Sequence, residues 1–263
     1  APTPVSAYLH AAAMVKAGVY LVARFAPAFG EHALWQGLVV ALGTGTLLLG
    51  GYRALRQQDL KLVLAFGTVS QLGLIILLVG LGTRSAALAG PALLGAHAMF
   101  KAPLFPATGT AFAGALATAS MIGLPPLAGY VAKEAALESL VHDGAGALPA
   151  WVSTYVIVAV VVGSALTFAY GLRFWWGAFW TKPSAELTAA TDPDACPIDP
   201  AQIHRQSRFM VWPPLILAVL GLASALVPHL GEDLLAPHAA LYPGEDGHLT
   251  LWGGVGPALW LTL

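Results

Sequence analysis

The sequence predicts an all-α polytopic membrane protein, a bundle of about seven or eight transmembrane helices, and three observations carry that reading. Hydrophobic residues make up 57% of the 263 positions and charged residues only 10%, against about 25% charged in an ordinary soluble domain. Four long stretches contain no Asp, Glu, Lys or Arg: Trp35 to Tyr52, Leu62 to Thr83, Trp151 to Leu172 and Phe209 to Pro228. Each approaches the ~20 residues an α-helix needs to cross a bilayer, and lipid is the solvent in which such a segment requires no polar face. Finally, most Lys and Arg residues fall in the short polar connections between these stretches.

The spans are expected in the following order. Val5 to Phe25 is the first, Leu34 to Leu55 the second, Leu60 to Gly82 the third and Ala86 to Phe105 the fourth. Phe112 to Val141 is an interrupted fifth, Trp151 to Trp176 the sixth, Phe209 to Val227 the seventh, and an eighth begins at Leu249. Trp175, Trp176 and Trp180 stand where an interfacial aromatic belt belongs. Residues 1–180 thus form the main helix bundle, 181–208 a polar loop containing DPDACPIDP, and 209–263 further membrane helices that break off. The APTPVS opening and the ALWLTL end, the latter inside an apolar run, give the expectation that the chain is a piece of something longer.

Orientation follows from the twelve Lys and Arg residues. Arg53, Arg56, Lys61, Arg173, Lys182, Arg205 and Arg208 lie on one side, and only Arg24 and Arg84 on the other. This bias makes the loops around Arg53–Lys61 and Lys182–Arg208 cytoplasmic in a plasma-membrane protein. Cys196 stands alone, so there is no disulfide framework and no CxxC spacing for a cluster or zinc. No cofactor or metal site is expected, a net charge of -1 argues against nucleic acid, and no HExxH, GxSxG or phosphate loop suggests an enzyme.

The three remaining cations, Lys16, Lys101 and Lys133, lie within spans. A lysine near mid-membrane costs roughly 2.5–3.5 kcal/mol on insertion scales, so it faces protein or water rather than lipid. Burial disfavours an ammonium, which brings lysine into a range where it can accept and release a proton, whereas arginine stays charged. His97 and Lys101 are spaced i, i+4 on one helix face. An imidazole there accepts at one nitrogen and donates at the other. His10 and Lys16 are six apart, about 120° round the helix, and line one cavity without stacking. Thr68, Ser70 and Gln71 can line a water chain, although such residues also hold helices together.

The fifth span carries ASMIGLPPLAGYVAKE, Ala119 to Glu134. Two prolines beside glycines end an α-helix, and inside a membrane such a break survives only where it lines protein or water, as in transporters. Lys133 follows the break by about two turns, and Glu134 points roughly 100° away from it.

At these residues the chain resembles a known family. APTPVSAYLHAAAMVKAGVYLVAR, QDLKLVLAFGTVSQLGLI, HAMFKAPLF and GLPPLAGYVAKE are similar, in order, to helices of the antiporter-like subunits shared by multisubunit Mrp cation/proton antiporters and respiratory complex I. The lysine in MVKAG and HLTLWGG at His248 to Gly254 make the A-type subunit of the Mrp antiporters the better match. The resemblance implies that His10, Lys16, His97, Lys101 and Lys133 occupy the family's proton-path positions, with Thr68, Ser70, Gln71 and Glu134 as further candidate lining. Two departures stand out. The family continues past HAMFKAPLF through a histidine-containing loop where FPATGTAF here runs straight on, and Gly253 replaces a histidine. The implied function is proton translocation in a sodium or other monovalent cation/proton antiporter built with other membrane subunits. The alternatives are a redox-driven pump subunit of complex I or a membrane hydrogenase, and a scaffold that transports nothing.

Overall fold

The computed structural model describes residues 14–104, 111–146, 148–180 and 208–251, and among them only helices and connections occur. The helices are α1 (Met14–Phe29), α2 (Ala33–Arg56), α3 (Leu60–Gly80), α4 (Arg84–Leu104), α5 (Ala111–Ile122), α6 (Ala128–His142), α7 (Ala150–Trp175), α8 (Arg208–Leu226) and α9 (Pro228–Ala239). A π-helical turn, Trp176–Trp180, continues α7. The first span therefore extends four residues past the expected Phe25, while its beginning, with His10, lies outside the described residues. The 181–207 loop and the run beyond Leu251 lie outside them too.

α2 and α3 form the tightest hairpin. Asp59 caps α3 by accepting from the Lys61 N–H at 2.7 Å, which satisfies one orphan donor of the first turn. The two helices approach backbone to backbone: a Cβ placed on Gly73 would sit 2.6 Å from the Leu47 nitrogen. Small residues at such crossings are how helices associate without a hydrophobic drive between them. Ser70 uses the closeness to donate to the Leu47 carbonyl at 2.7 Å. α7 packs across the hairpin, where Gln71 donates to Thr167 at 2.9 Å.

α4 is the hub of the bundle, packed against α3, α5, α6, α8 and α9. Ala33–Arg56, Leu60–Gly80 and Ala150–Ala178 are each long and apolar enough to span a bilayer unaided. α4 is not among them, because it is built from Ala and Gly around Pro91, His97, Lys101 and Pro103. Its burial by neighbouring helices on several sides removes the need to be lipophilic.

The structure adds one element the periodicity does not suggest. After α8 the chain turns by 83° into α9, with Pro228 in its first turn, the position at which proline suits a helix start. The expected eighth span starts no helix within its described part, Leu249 to Leu251.

Candidate functional site

The interrupted fifth span is two half-helices. α5 ends at Ile122, and Gly123, at φ +87°, takes the left-handed conformation that favours glycine. The Leu124 N–H then bonds the Ala119 carbonyl at 2.9 Å and the Gly123 N–H bonds the Ser120 carbonyl at 3.2 Å. This is the pattern of a Schellman C-cap. An α-helix leaves its last four carbonyls without intrahelical partners. Those of Ala119 and Ser120 are thereby satisfied, and those of Met121 and Ile122 remain.

Lys133 supplies the rest. Its Nζ lies 3.1 Å from the Met121 carbonyl and 3.2 Å from the Ile122 carbonyl, so the ammonium closes the negative end of the α5 dipole. Its aliphatic stem lies over Gly123. α6 starts on the other flank, where the Gly129 N–H donates to Ser120 Oγ at 3.2 Å. A Cβ at Gly129 would meet the Ser120 carbonyl oxygen at 1.8 Å, so no larger residue fits that crossing.

Lys101, fully buried on α4, reaches the same half-helix end from the other side. Its Nζ lies 3.9 Å from the Met121 sulfur. Met121, itself fully buried, touches one lysine through its side chain and the other through its carbonyl. One turn before Lys101, His97 is fully buried and packs edge-on against Phe100, with ring centroids 5.3 Å apart. Neither ring nitrogen of His97 has a hydrogen-bond partner among the described residues. Lys101 and Lys133 thus meet at Met121, with His97 one turn before Lys101 on α4.

The remaining sequence candidates are distributed differently. Ser70 and Gln71 bond across to α2 and α7, and Thr68 donates back to the Leu64 carbonyl at 2.8 Å within α3. Glu134 faces the Tyr130 hydroxyl one turn before it on α6. Tyr130, Glu134, Glu138 and His142 follow one another at four-residue steps along that helix. The stripe ends at a cavity of about 270 Å³ lined by Glu138, His142, Asp143, Glu245, Asp246 and His248. Ser85 donates to Asp143 there, and Arg84 pairs with Asp246 at 2.6 Å. This mouth is at the opposite end of the bundle from Arg53–Lys61, because it adjoins the start of α4, just after α3 ends. Sequence reading missed Met121 and the acidic mouth. The four-step spacing along α6 could have shown the stripe, but Glu245 and Asp246 join it only through the fold.

Comparison with known proteins agrees with this architecture. The model of the family described as NADH:quinone oxidoreductase/Mrp antiporter, TM, matches residues 1–113. The whole chain aligns at 33% identity with the A-type subunit of the Na(+)/H(+) antiporter of Bacillus subtilis, over 308 positions and 37% of that protein. A probable A/B-type subunit of a K(+)/H(+) antiporter of Rhizobium meliloti is 36% identical over 97% of the chain and 27% of its own length. The chain therefore spans 37% of the first of these relatives and 27% of the second. Among solved structures, the Mrp complex from a Dietzia species superposes with a TM-score of 0.82 at 33% identity, covering all of this chain and 29% of that one. An archaeal membrane-bound sulfane sulfur reductase shares the fold, with a TM-score of 0.67 at 21% identity over 92% of this chain and 52% of that one. Residues 1–113 thus match the membrane domain of the NADH:quinone oxidoreductase/Mrp antiporter family, and the chain is similar along its length to the A-type subunit of the Mrp antiporters.

Proposed function

We propose that this chain forms a proton path within a multisubunit monovalent cation/proton antiporter, and so acts as part of a transporter and not as an enzyme. The observation that carries the reading is the convergence of Lys101 and Lys133 on the end of half-helix α5, with the buried His97 one turn before Lys101. A buried ammonium is retained in a membrane where it works or is paired. Lys133 has two carbonyl acceptors, whereas Lys101 has one thioether.

The residues support a sequence of transfers. His97 can take a proton at one nitrogen and release one at the other, between Lys16 and Lys101. A proton arriving at Lys101 raises the local positive charge, which makes Lys133 release its own, since like charges close together disfavour each other. Thr68, Ser70 and Gln71 line the α3 side, with the option of holding water there. From Lys133 the α6 stripe through Glu134 and Glu138 leads to the acidic mouth, which faces outward if the Arg53–Lys61 side is cytoplasmic. His10 would extend the path before Lys16. Sodium or another monovalent cation moves in the opposite direction through the whole complex, which this chain forms with other membrane subunits.

Replacing Lys101 with Ala in the full-length protein, assembled with its complex in everted vesicles, should abolish sodium-dependent proton movement while leaving the complex intact. Unchanged exchange would refute the relay. Loss of assembly, with normal exchange per remaining complex, would instead make the chain a scaffold.

A further inference from the structure

We propose that the end of the bundle around the α2–α3 connection binds the headgroup of an anionic phospholipid. A groove of about 450 Å³ opens there, lined by Gln57, Gln58, Leu60, Leu172, Arg173 and Trp176. Arg173 reaches across it and donates to the Leu55 carbonyl, in the last turn of α2. Two more guanidinium groups stand in the last turn of α2, just before groove-lining Gln57, each braced on an aromatic ring. Arg53 lies 5.3 Å over Phe66, and Arg56 lies 5.7 Å over Tyr52 while donating to its hydroxyl at 3.2 Å. Lys61, exposed and next in sequence to groove-lining Leu60, adds a fourth cation at this end of the bundle.

What marks a ligand site is the missing counter-charge. None of these four cations lies within 4.0 Å of a carboxylate among the described residues. Asp59, an acid of the α2–α3 connection, is engaged as the α3 cap. Beneath the amides and guanidinium groups the walls are apolar, formed by Leu60, Val63, Ala169 and Leu172. Trp176, half exposed, stands at the rim. A soluble anion would use the cations and leave the apolar wall idle. An amphiphile with a phosphate head and acyl tails uses both, and basic pockets between helices on the cytoplasmic side recognise such lipids. Aromatic bracing also holds the guanidinium groups ready, because less rotamer freedom is lost on binding.

The test uses the full-length protein in its purified complex, titrated with phosphatidylglycerol, cardiolipin, phosphatidylcholine or inorganic phosphate, with binding read by native mass spectrometry and thermal stability. Both anionic lipids should bind and raise the melting temperature, whereas phosphatidylcholine and inorganic phosphate should not. Removing cations near the surface weakens anionic-lipid binding by about fivefold per charge, so the double variant Arg56→Gln/Lys61→Gln should lose about 25-fold. The charge-keeping Arg56→Lys/Lys61→Arg should stay within a few-fold of wild type. If the double variant fails to assemble, Arg56→Gln alone carries the fivefold test. Equal binding of phosphatidylcholine, an equal response to inorganic phosphate, or undiminished affinity in the neutralised variants would overturn the proposal. So would a gain of lipid binding only after Glu186, Asp192, Asp194 and Asp199 become amides, which would make the chain's own acidic segment the occupant.

Discussion

Replacing Lys133 with Met separates its capping role from any role in transport. The two side chains have similar length, so the stem still covers Gly123, and what disappears is the ammonium between the Met121 and Ile122 carbonyls. Leaving a buried acceptor without its partner costs about 1–3 kcal/mol, so two carbonyls put roughly 2–6 kcal/mol at stake. The same substitution removes a lysine whose burial itself costs about 2.5–3.5 kcal/mol. The midpoints of the two ranges leave a net loss of about 1 kcal/mol. At ~2–4 °C per kcal/mol for a chain of this size, the purified protein in detergent should melt about 2–4 °C earlier. The residues near the break, Gly123 to Leu127, should become more sensitive to protease. A variant that melts at or above the wild-type temperature, with the break equally protected, would refute the capping argument, whatever its transport does.

Other perturbations follow from the same geometry. Gly129→Ala puts a methyl group into the Ser120 oxygen, 1.8 Å away, and should cost more than the ~1–3 kcal/mol of ordinary overpacking; monodisperse, wild-type elution in size-exclusion chromatography would contradict the crossing. Met121→Leu keeps the volume between the two lysines and should stay within ~1.5 kcal/mol of wild type. Met121→Ala opens a cavity there and should lose about 2–5 kcal/mol, which chemical denaturation in detergent can compare directly. Gln71→Leu deletes the bond to Thr167 and should cost only about 0.6 kcal/mol, the average for such bonds between membrane helices; a loss above ~2 kcal/mol would mean that Gln71 does more than join α3 to α7.

Helix identity was legible wherever the chain meets lipid. The uncharged runs that became α2, α3 and α7 stand out because a segment facing hydrocarbon must be apolar along most of its length. The same reasoning recognised the broken fifth span, since Pro125, Pro126 and the adjacent glycine admit no continuous helix. It said nothing of α9, whose Glu232, Asp233 and two histidines break the apolar pattern while Glu232 is held by His248 and the Leu249 N–H. Lys16, His97, Lys101 and Lys133 could be singled out because a cation or imidazole in an apolar run is conspicuous. Met121 could not, because a methionine in a membrane helix looks like filler until the fold places a lysine on each side of it.

The sequence by itself determined that this is a membrane-embedded helical chain, where one span must break, and which polar residues stand in its apolar runs. Those are consequences of one-dimensional rules: hydrocarbon excludes charge, proline lacks a donor, and the spacing of i and i+4 fixes a helix face. Only the tertiary structure decided what the lysines touch. Lys133 caps the half-helix eleven residues behind it, and Lys101 meets the same end from another helix. Such contacts depend on how closely backbones approach, and Gly73 against Leu47 and Gly129 against Ser120 set that approach through atoms that are absent from the glycines themselves.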